Sequence, residues 1–307
     1  MKFEEFESLQ MELRPNGVLL MTMQTGQKKN AMTAQLHREL ARVWGEIGQD
    51  PRLNVVVITG SGDAFSAGGE LSWVKELIEK PTTQEGRRDF SDFDELLAIP
   101  DGMLNLNKPI IAAVNGAAVA GGLAVALMAD ISIVAEDAII CDGHIRGGLV
   151  AGDHAALMWP LLCGMAKSKY YLLTGRALDG AEAARIGLVS QAVRKEDVLP
   201  TALQIAAELA TGPQLAIRWT KRALNGWFRQ AMPIFEHSAA LERLSFIHPD
   251  ALEALTALLE GRKPSFAAIS LTSAGPSTSG NPCPRLIALC SIAMRDMTSK
   301  MVMGRPV

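Results

Sequence analysis

Two glycine-rich segments, about fifty residues apart, constrain this chain more than anything else in it. One is Phe65-Ser66-Ala67-Gly68-Gly69-Glu70-Leu71, the other Asn115-Gly116-Ala117-Ala118-Val119-Ala120-Gly121-Gly122-Leu123. Each follows an apolar run, Val55-Val56-Val57-Ile58-Thr59 and Pro109-Ile110-Ile111-Ala112-Ala113-Val114. Each leads into a stretch with helical character. A strand that turns through glycine into a helix leaves backbone N–H groups without partners at the turn. Two such turns side by side can aim two donors at one oxygen. That arrangement stabilises negative charge developing on a carbonyl.

The rest of the chain repeats the strand–turn–helix theme, which predicts an α/β spiral rather than a sandwich. Strands are expected at 18–23, 55–59, 110–114 and 131–135, with a short one at Ile139-Ile140-Cys141. Thr33 is placed to cap a helix from Ala34 to about Gly48, with Leu36, Leu40, Val43 and Ile47 on one face. Helices are expected over 71–79 and 121–128, and Phe90, Phe93, Leu96 and Leu97 hint at another. From Leu199 onward the pattern is helical, over 200–210, 213–223, around 229–242 and 249–260. Residues 268–307, rich in Ser, Pro, Thr and Met, are expected to be a disordered or atypical tail.

Composition removes several function classes. The net charge of −3 over 307 residues gives no electrostatic case for nucleic acid. The four cysteines have no CxxC spacing and read as free thiols of a reducing compartment. No run has the length and purity of a membrane span. The acidic start, Met1 to Glu7, matches neither a secretory signal nor an Arg-rich transit peptide, so a cytoplasmic location is expected. The glycine motifs fit neither GxGxxG nor a P-loop, and no His/Cys cluster has metal-ligand spacing. No metal and no separate cofactor are expected.

The paired glycine turns resemble the signature of the crotonase (enoyl-CoA hydratase/isomerase) superfamily. The resemblance runs from about Phe6 to Phe266 and includes Lys29-Asn30-Ala31-Met32, Lys108-Pro109, Ala129-Asp130-Ile131, Leu173-Thr174-Gly175-Arg176, Ala183 to Val189 and Glu260-Gly261-Arg262-Lys263. It implies a spiral of repeated ββα units over 1–198, then a helical part over 199–267 that covers the site and self-associates as a homotrimer or dimer of trimers. The implied substrate is an acyl thioester, with coenzyme A as part of it. The implied oxyanion donors are the N–H groups of Gly69 and Gly121. On the coenzyme A path the resemblance implies Lys28 and Lys29 near phosphate, and Ala31 and Ala67 by their backbone. Arg262 and Lys263 stand near the end of the folded part, within possible reach of a ligand.

The chain departs from the hydratase pattern at both glutamates. The first falls on Ala124, which cannot transfer a proton. The second falls on His144, and Asp153 follows nine residues later. An imidazole can serve as base and then as acid near neutral pH, and a carboxylate can orient it or orient water. Asp153 could instead cap the helix that follows. The pairing resembles a crotonase subgroup that cleaves C–C bonds of β-diketones. Three functions stay open: an enoyl-CoA hydratase/isomerase acting through His144, a β-diketone hydrolase, or a non-catalytic acyl-CoA binder. His154 stands either in the same pocket or on the surface. Glu70 reads as a helix-start residue, Trp73 and Trp159 as core or pocket wall, and His37 as exposed. His237 and His248 lie outside the implied catalytic positions.

Overall fold

Three times along the chain, a strand of one sheet turns tightly into a short strand of a second sheet. The computed structural model describes residues 1–79 and 91–266. The elements in order are β1 (Leu9–Arg14), β2 (Val18–Met23), α1 (Ala34–Gln49), β3 (Val55–Gly60), β4 (Ala64–Ser66), α2 (Leu71–Glu79), α3 (Ser91–Asn105), β5 (Ile110–Val114), β6 (Ala117–Val119), α4 (Gly121–Met128), β7 (Ile131–Ala135) and β8 (Ile140–Cys141). Then come α5 (Ala155–Cys163), α6 (Met165–Thr174), α7 (Gly180–Arg185), β9 (Gln191–Val193), α8 (Val198–Thr211), α9 (Gln214–Ser245) and α10 (Pro249–Leu259). Among the described residues, the larger sheet has the order β1-β2-β3-β5-β7-β9 and the smaller one β4-β6-β8. Only β1 and β2 pair antiparallel; the other pairs are parallel.

Parallel strands covered on both faces read as unbroken apolar runs. That is why β3 and β5, buried at every position, stand out in the sequence. Register runs across the sheet from Met21 to Ile58 to Ala112 to Ser132. Edge strand β1 is mostly exposed, so it has no such run and escapes sequence reading. Strands β4 and β6, three residues each, lie inside the glycine-rich segments and escape it too.

Close approach dictates the glycine turns between the sheets. A Cβ at Gly116 would stand 2.1 Å from the Asp63 carbonyl oxygen. Asn115 Nδ2 donates to the carbonyls of Gly60 and Gly62 at 2.9 and 3.0 Å, tying the two turns together. Buried Asn30 adds a clamp, donating to Ser61 and Ala64 carbonyls at 2.8 and 2.9 Å.

The two helices expected over 213–223 and 229–242 are one continuous helix, α9, with Pro233 inside it. Its inner side explains the continuity. Lys221 Nζ pairs with Asp130 at 2.8 Å and donates to the Lys108 carbonyl at 2.9 Å. Asn225 Nδ2 donates to the Leu104 carbonyl, and Ser238 Oγ to the Gly152 carbonyl, each at 2.9 Å. These anchors hold the helix across Gly226, in the gap between the two expected helices, and through Pro233. The helix containing Phe93, Leu96 and Leu97 is α3; Phe90 and residues 268–307 lie outside the described residues. No helix among the described residues is long and apolar enough to cross a membrane.

Candidate active site

The two glycine turns meet in space. A Cβ at Gly68 would come within 3.1 Å of the Val119 carbonyl oxygen. Met32 N–H donates to the Gly68 carbonyl, and Glu70 N–H to the Met32 carbonyl, at 2.7 and 2.9 Å. Gly69 is framed between them. Neither Gly69 N–H nor Gly121 N–H has an acceptor among the described residues. Gly121 is the first residue of α4, where the helix dipole adds positive potential. The preceding residue, Ala120, holds φ +45° and ψ −123°, a conformation alanine rarely adopts. Gly69 and Gly121 line one cavity of about 450 Å³, together with His144 and Asp153.

His144 starts a short helical turn bounded by Gly143 at φ +80° and Gly148 at φ +66°. These left-handed positions reverse the chain after β8 and bring the buried imidazole under the cavity. Its Nδ1 lies 3.1 Å from Asp142 Oδ2, so Nδ1–H donates to that carboxylate. Its Nε2 faces two more acids, Asp153 Oδ2 at 3.7 Å and Glu242 Oε1 at 3.6 Å. Asp153 does not cap α5; its other oxygen pairs with Nδ1 of His154. His154 is fully buried, and Trp159 Nε1 donates to its Nε2 at 3.4 Å.

Neither Glu242 nor Asp142 is among the site residues expected from the sequence. Glu242 sits on the inner side of α9 with Phe235, Ser238 and Ala239. An acid in register with core positions was the available signal. Gly152 makes the approach possible, since a Cβ there would lie 2.5 Å from Glu242 Cβ. Glu242 Oε2 is buried without a hydrogen-bond partner.

The cluster redistributes its protons. Burial disfavours a charged imidazole, but the carboxylates of Asp153, Asp142 and Glu242 outweigh it, and the His144 pKa rises well above its ordinary value. Burial likewise disfavours an ionised Asp153, yet His154 and His144 hold its pKa below the ordinary carboxylate value. Burial dominates at Glu242, reinforced by the neighbouring aspartates, and pushes its pKa to about 8. The site thus presents a charged imidazolium, an ionised Asp153 and a protonated Glu242 around one point. Spacing along the chain suggested no metal cluster. The fold nevertheless brings ligand atoms of Asp142, His144 and Asp153 within 4.8 Å of one another. A metal ligand must offer a lone pair, so an ion there would have to displace the proton of His144.

The other sequence candidates separate clearly. Ala124 lines the cavity, a methyl where a second carboxylate was in question. Ala67 also lines it, its N–H bound to the Lys29 carbonyl at 3.0 Å. Lys28 and Lys29 are exposed, Ala31 is half-buried, and none of the three lines the cavity. Arg262 lines the cavity and is tied to Glu253 and Glu260, while Lys263 is exposed. Glu70 caps α2, accepting from the N–H groups of Ser72 and Trp73. Trp73 walls the cavity, whereas Trp159 belongs to the core. His37 corrects the expectation of exposure. It is buried, lines the cavity and pairs with Glu95, because α3 packs over that face of α1. His237 and His248 are exposed.

Two N–H donors without an acceptor among the described residues and the imidazole of His144 thus share one cavity within a spiral of paired strands. A family model described as enoyl-CoA hydratase/isomerase matches residues 14–268. A probable enoyl-CoA hydratase, echA8, of Mycobacterium leprae is 32% identical over 249 residues, 80% of this chain and 93% of that protein. A solved enoyl-CoA hydratase/isomerase from Mycobacterium paratuberculosis superposes with TM-score 0.75 at 31% identity, covering 81% of this chain and 97% of that one. A β-diketone hydrolase from the cyanobacterium Anabaena, bound to (S)-3-oxocyclohexyl acetic acid, superposes with TM-score 0.72 at 27% identity, over 80% and 96%. The chain belongs to the enoyl-CoA hydratase/isomerase family, the crotonase superfamily.

Proposed function

We propose that the N–H groups of Gly69 and Gly121 hold the carbonyl oxygen of an acyl thioester of coenzyme A, and that His144 moves the proton at the neighbouring carbon. The observation that carries this reading is the convergence of both free donors and His144 on one cavity. Relatives named crotonyl-CoA hydratase and carnitinyl-CoA dehydratase, 32% and 34% identical, support the substrate class. Hydration follows directly from the protonation states. Ionised Asp153 takes a proton from water as its oxygen attacks the β-carbon of an enoyl thioester. The resulting enolate oxygen is held by the two N–H groups. Imidazolium His144 gives its proton to the α-carbon and regains one from Asp153. Ala67 would contact the thioester path by its backbone, with Lys28 and Lys29 outside the cavity near the phosphates. Exposed Trp219, Leu224 and Trp227 on α9 support self-association as a homotrimer or dimer of trimers. Light scattering tests it, and a monomer would reject it.

One observation favours a second reading. Ala124 removes one hydratase acid, while Asp142, Asp153 and Glu242 surround His144. This set suits activating water for attack on a ketone. In a β-diketone, that attack followed by C–C cleavage would release a carboxylate and a carbon protonated by His144. The Anabaena hydrolase lends it structural company. The test is purified protein with crotonyl-CoA and with a cyclic 1,3-diketone, His144→Ala beside it, products identified by mass. Turnover of crotonyl-CoA that His144→Ala abolishes supports the first reading. Diketone cleavage alone moves the chain to the second. No turnover of either, with coenzyme A bound tightly, would leave a different acyl-CoA substrate or a non-catalytic binder.

A further inference from the structure

The cavity has a second polar feature that the reaction above does not use. His37, on α1, lines it, with only 7% of its surface exposed. Its Nδ1 lies 2.9 Å from Glu95 Oε2 on α3. A carboxylate oxygen only accepts, so Nδ1–H donates and the tautomer is fixed. Nε2 has no hydrogen-bond partner among the described residues, and it is not one of the fully enclosed unpaired atoms. The ring of Trp73, another wall residue, packs against the imidazole at 5.2 Å and a 50° tilt. The cavity wall also holds apolar Leu77, Phe93 and Leu96 and the paired Asp92 and Arg243. An unbranched hydrocarbon chain gives no partner to a buried imidazole nitrogen, and burying such a group without a hydrogen bond is costly. The arrangement is a fixed ring nitrogen presented to whatever fills the apolar part of the pocket.

We propose that His37, oriented by Glu95 and Trp73, is a substrate-binding residue that reads a hydroxyl group on the acyl chain, remote from the reacting carbonyl. The inference rests on the acyl thioester reading. A hydroxyl donates to Nε2, the acceptor that the Nδ1–H tautomer leaves, whereas a keto oxygen, which only accepts, does not pair with it. A site built to bond such an oxygen discriminates strongly against the analogue that lacks it, because the nitrogen is then buried unpaired.

The test compares trans-2-hexenoyl-CoA and trans-2-octenoyl-CoA with their counterparts bearing a keto or hydroxyl group one carbon from the far end. Parent, His37→Phe and His37→Gln are assayed for kcat and KM, and binding is measured by calorimetry. The expected result is a parent preference of about tenfold or more for the hydroxylated chain over both the plain and the keto chain, carried mainly by KM. It collapses in His37→Phe and is partly restored in His37→Gln. No parent preference, or an equal loss on plain and hydroxylated chains, overturns the proposal and makes the His37–Glu95 pair a structural tie between α1 and α3. A parent that binds the thioesters but transforms none overturns the proposed reaction alone, and the ratio of Kd values then decides the role of His37. A parent that binds none overturns both.

Discussion

Replacing Glu242 with glutamine should make the protein more resistant to alkaline pH, which is unusual for removal of a buried group from a charged cluster. Glutamine has nearly the shape of a protonated glutamic acid. Burial, with the aspartates beside it, lifts the Glu242 pKa from 4.5 to about 8. The unfolded chain sheds this proton at the ordinary value, while the folded protein keeps it. Folding therefore takes up a proton throughout that window, and stability falls as pH rises through it. Each unit of separation is worth about 1.4 kcal/mol, so the whole window is worth on the order of 5 kcal/mol. His144 also has a raised pKa and adds a loss of the same sign above its ordinary value of 6.5. Glu242 is one of the charges that raise it, so the difference between the two proteins reports the Glu242–His144 pair, with the Glu242 window below 6.5 read most directly. Urea denaturation at fixed protein concentration, from about pH 5 to about pH 9, provides the measurement. Parent and Glu242→Gln should match at the acid end, and the variant should become progressively the more stable toward pH 8. Parallel curves, or a variant weaker by the same amount at every pH, would mean that Glu242 is ionised at neutrality and that the proton inventory given above is wrong.

Ala120→Gly should relieve the positive φ at the start of α4 and stabilise by about 1 kcal/mol after the greater chain entropy of glycine is subtracted. A melting temperature below that of the parent would contradict the strain. Gly148→Ala combines φ +66° with a Cβ 2.5 Å from the Asp250 carbonyl oxygen, so it should cost at least about 2 kcal/mol and loosen the His144 turn from α10. Denaturant titration checks this, and a neutral result would place the turn elsewhere. Lys221→Met leaves Asp130, whose side chain is 19% exposed, without its cation, although the Ile110 N–H still bonds it at 2.7 Å, and should cost about 2 kcal/mol. The double variant with Asp130→Asn should recover part of that loss.

What the sequence disclosed follows the physics of each element. Strands buried on both faces, β3 and β5, are continuous apolar runs, and the capped, amphipathic α1 repeats every three or four residues. Thr33 caps α1 as its position implies, its oxygen accepting from Leu36 N–H at 3.1 Å. Such signals are local, so they survive reading one residue at a time. The continuity of α9 is not local. It depends on acceptors supplied by Lys108, Leu104 and Gly152, far away in the chain. The burial of His37 is equally remote, because the helix that covers it begins more than fifty positions later.

The candidate site divides along the same line. The glycine turns and His144 each lie next to a strand end, and a strand end has a recognisable sequence. Glu242 lies in the middle of a helical stretch, and only the packing of α9 against the loop at Gly152 brings it to His144. The core spiral therefore supplies the two N–H donors and the imidazole, and α9 adds Glu242 to the cluster. Arg243, the next residue, pairs with Asp92 of α3 at 2.8 Å and also lines the cavity. One segment of α9 thus contributes both an acid of the cluster and part of the wall. A change that shifts α9 by a fraction of an ångström would alter the charge state of His144 and the shape of the acyl pocket together, without touching either glycine turn. Placing the titrating group and the pocket wall on one helix couples proton inventory to substrate fit.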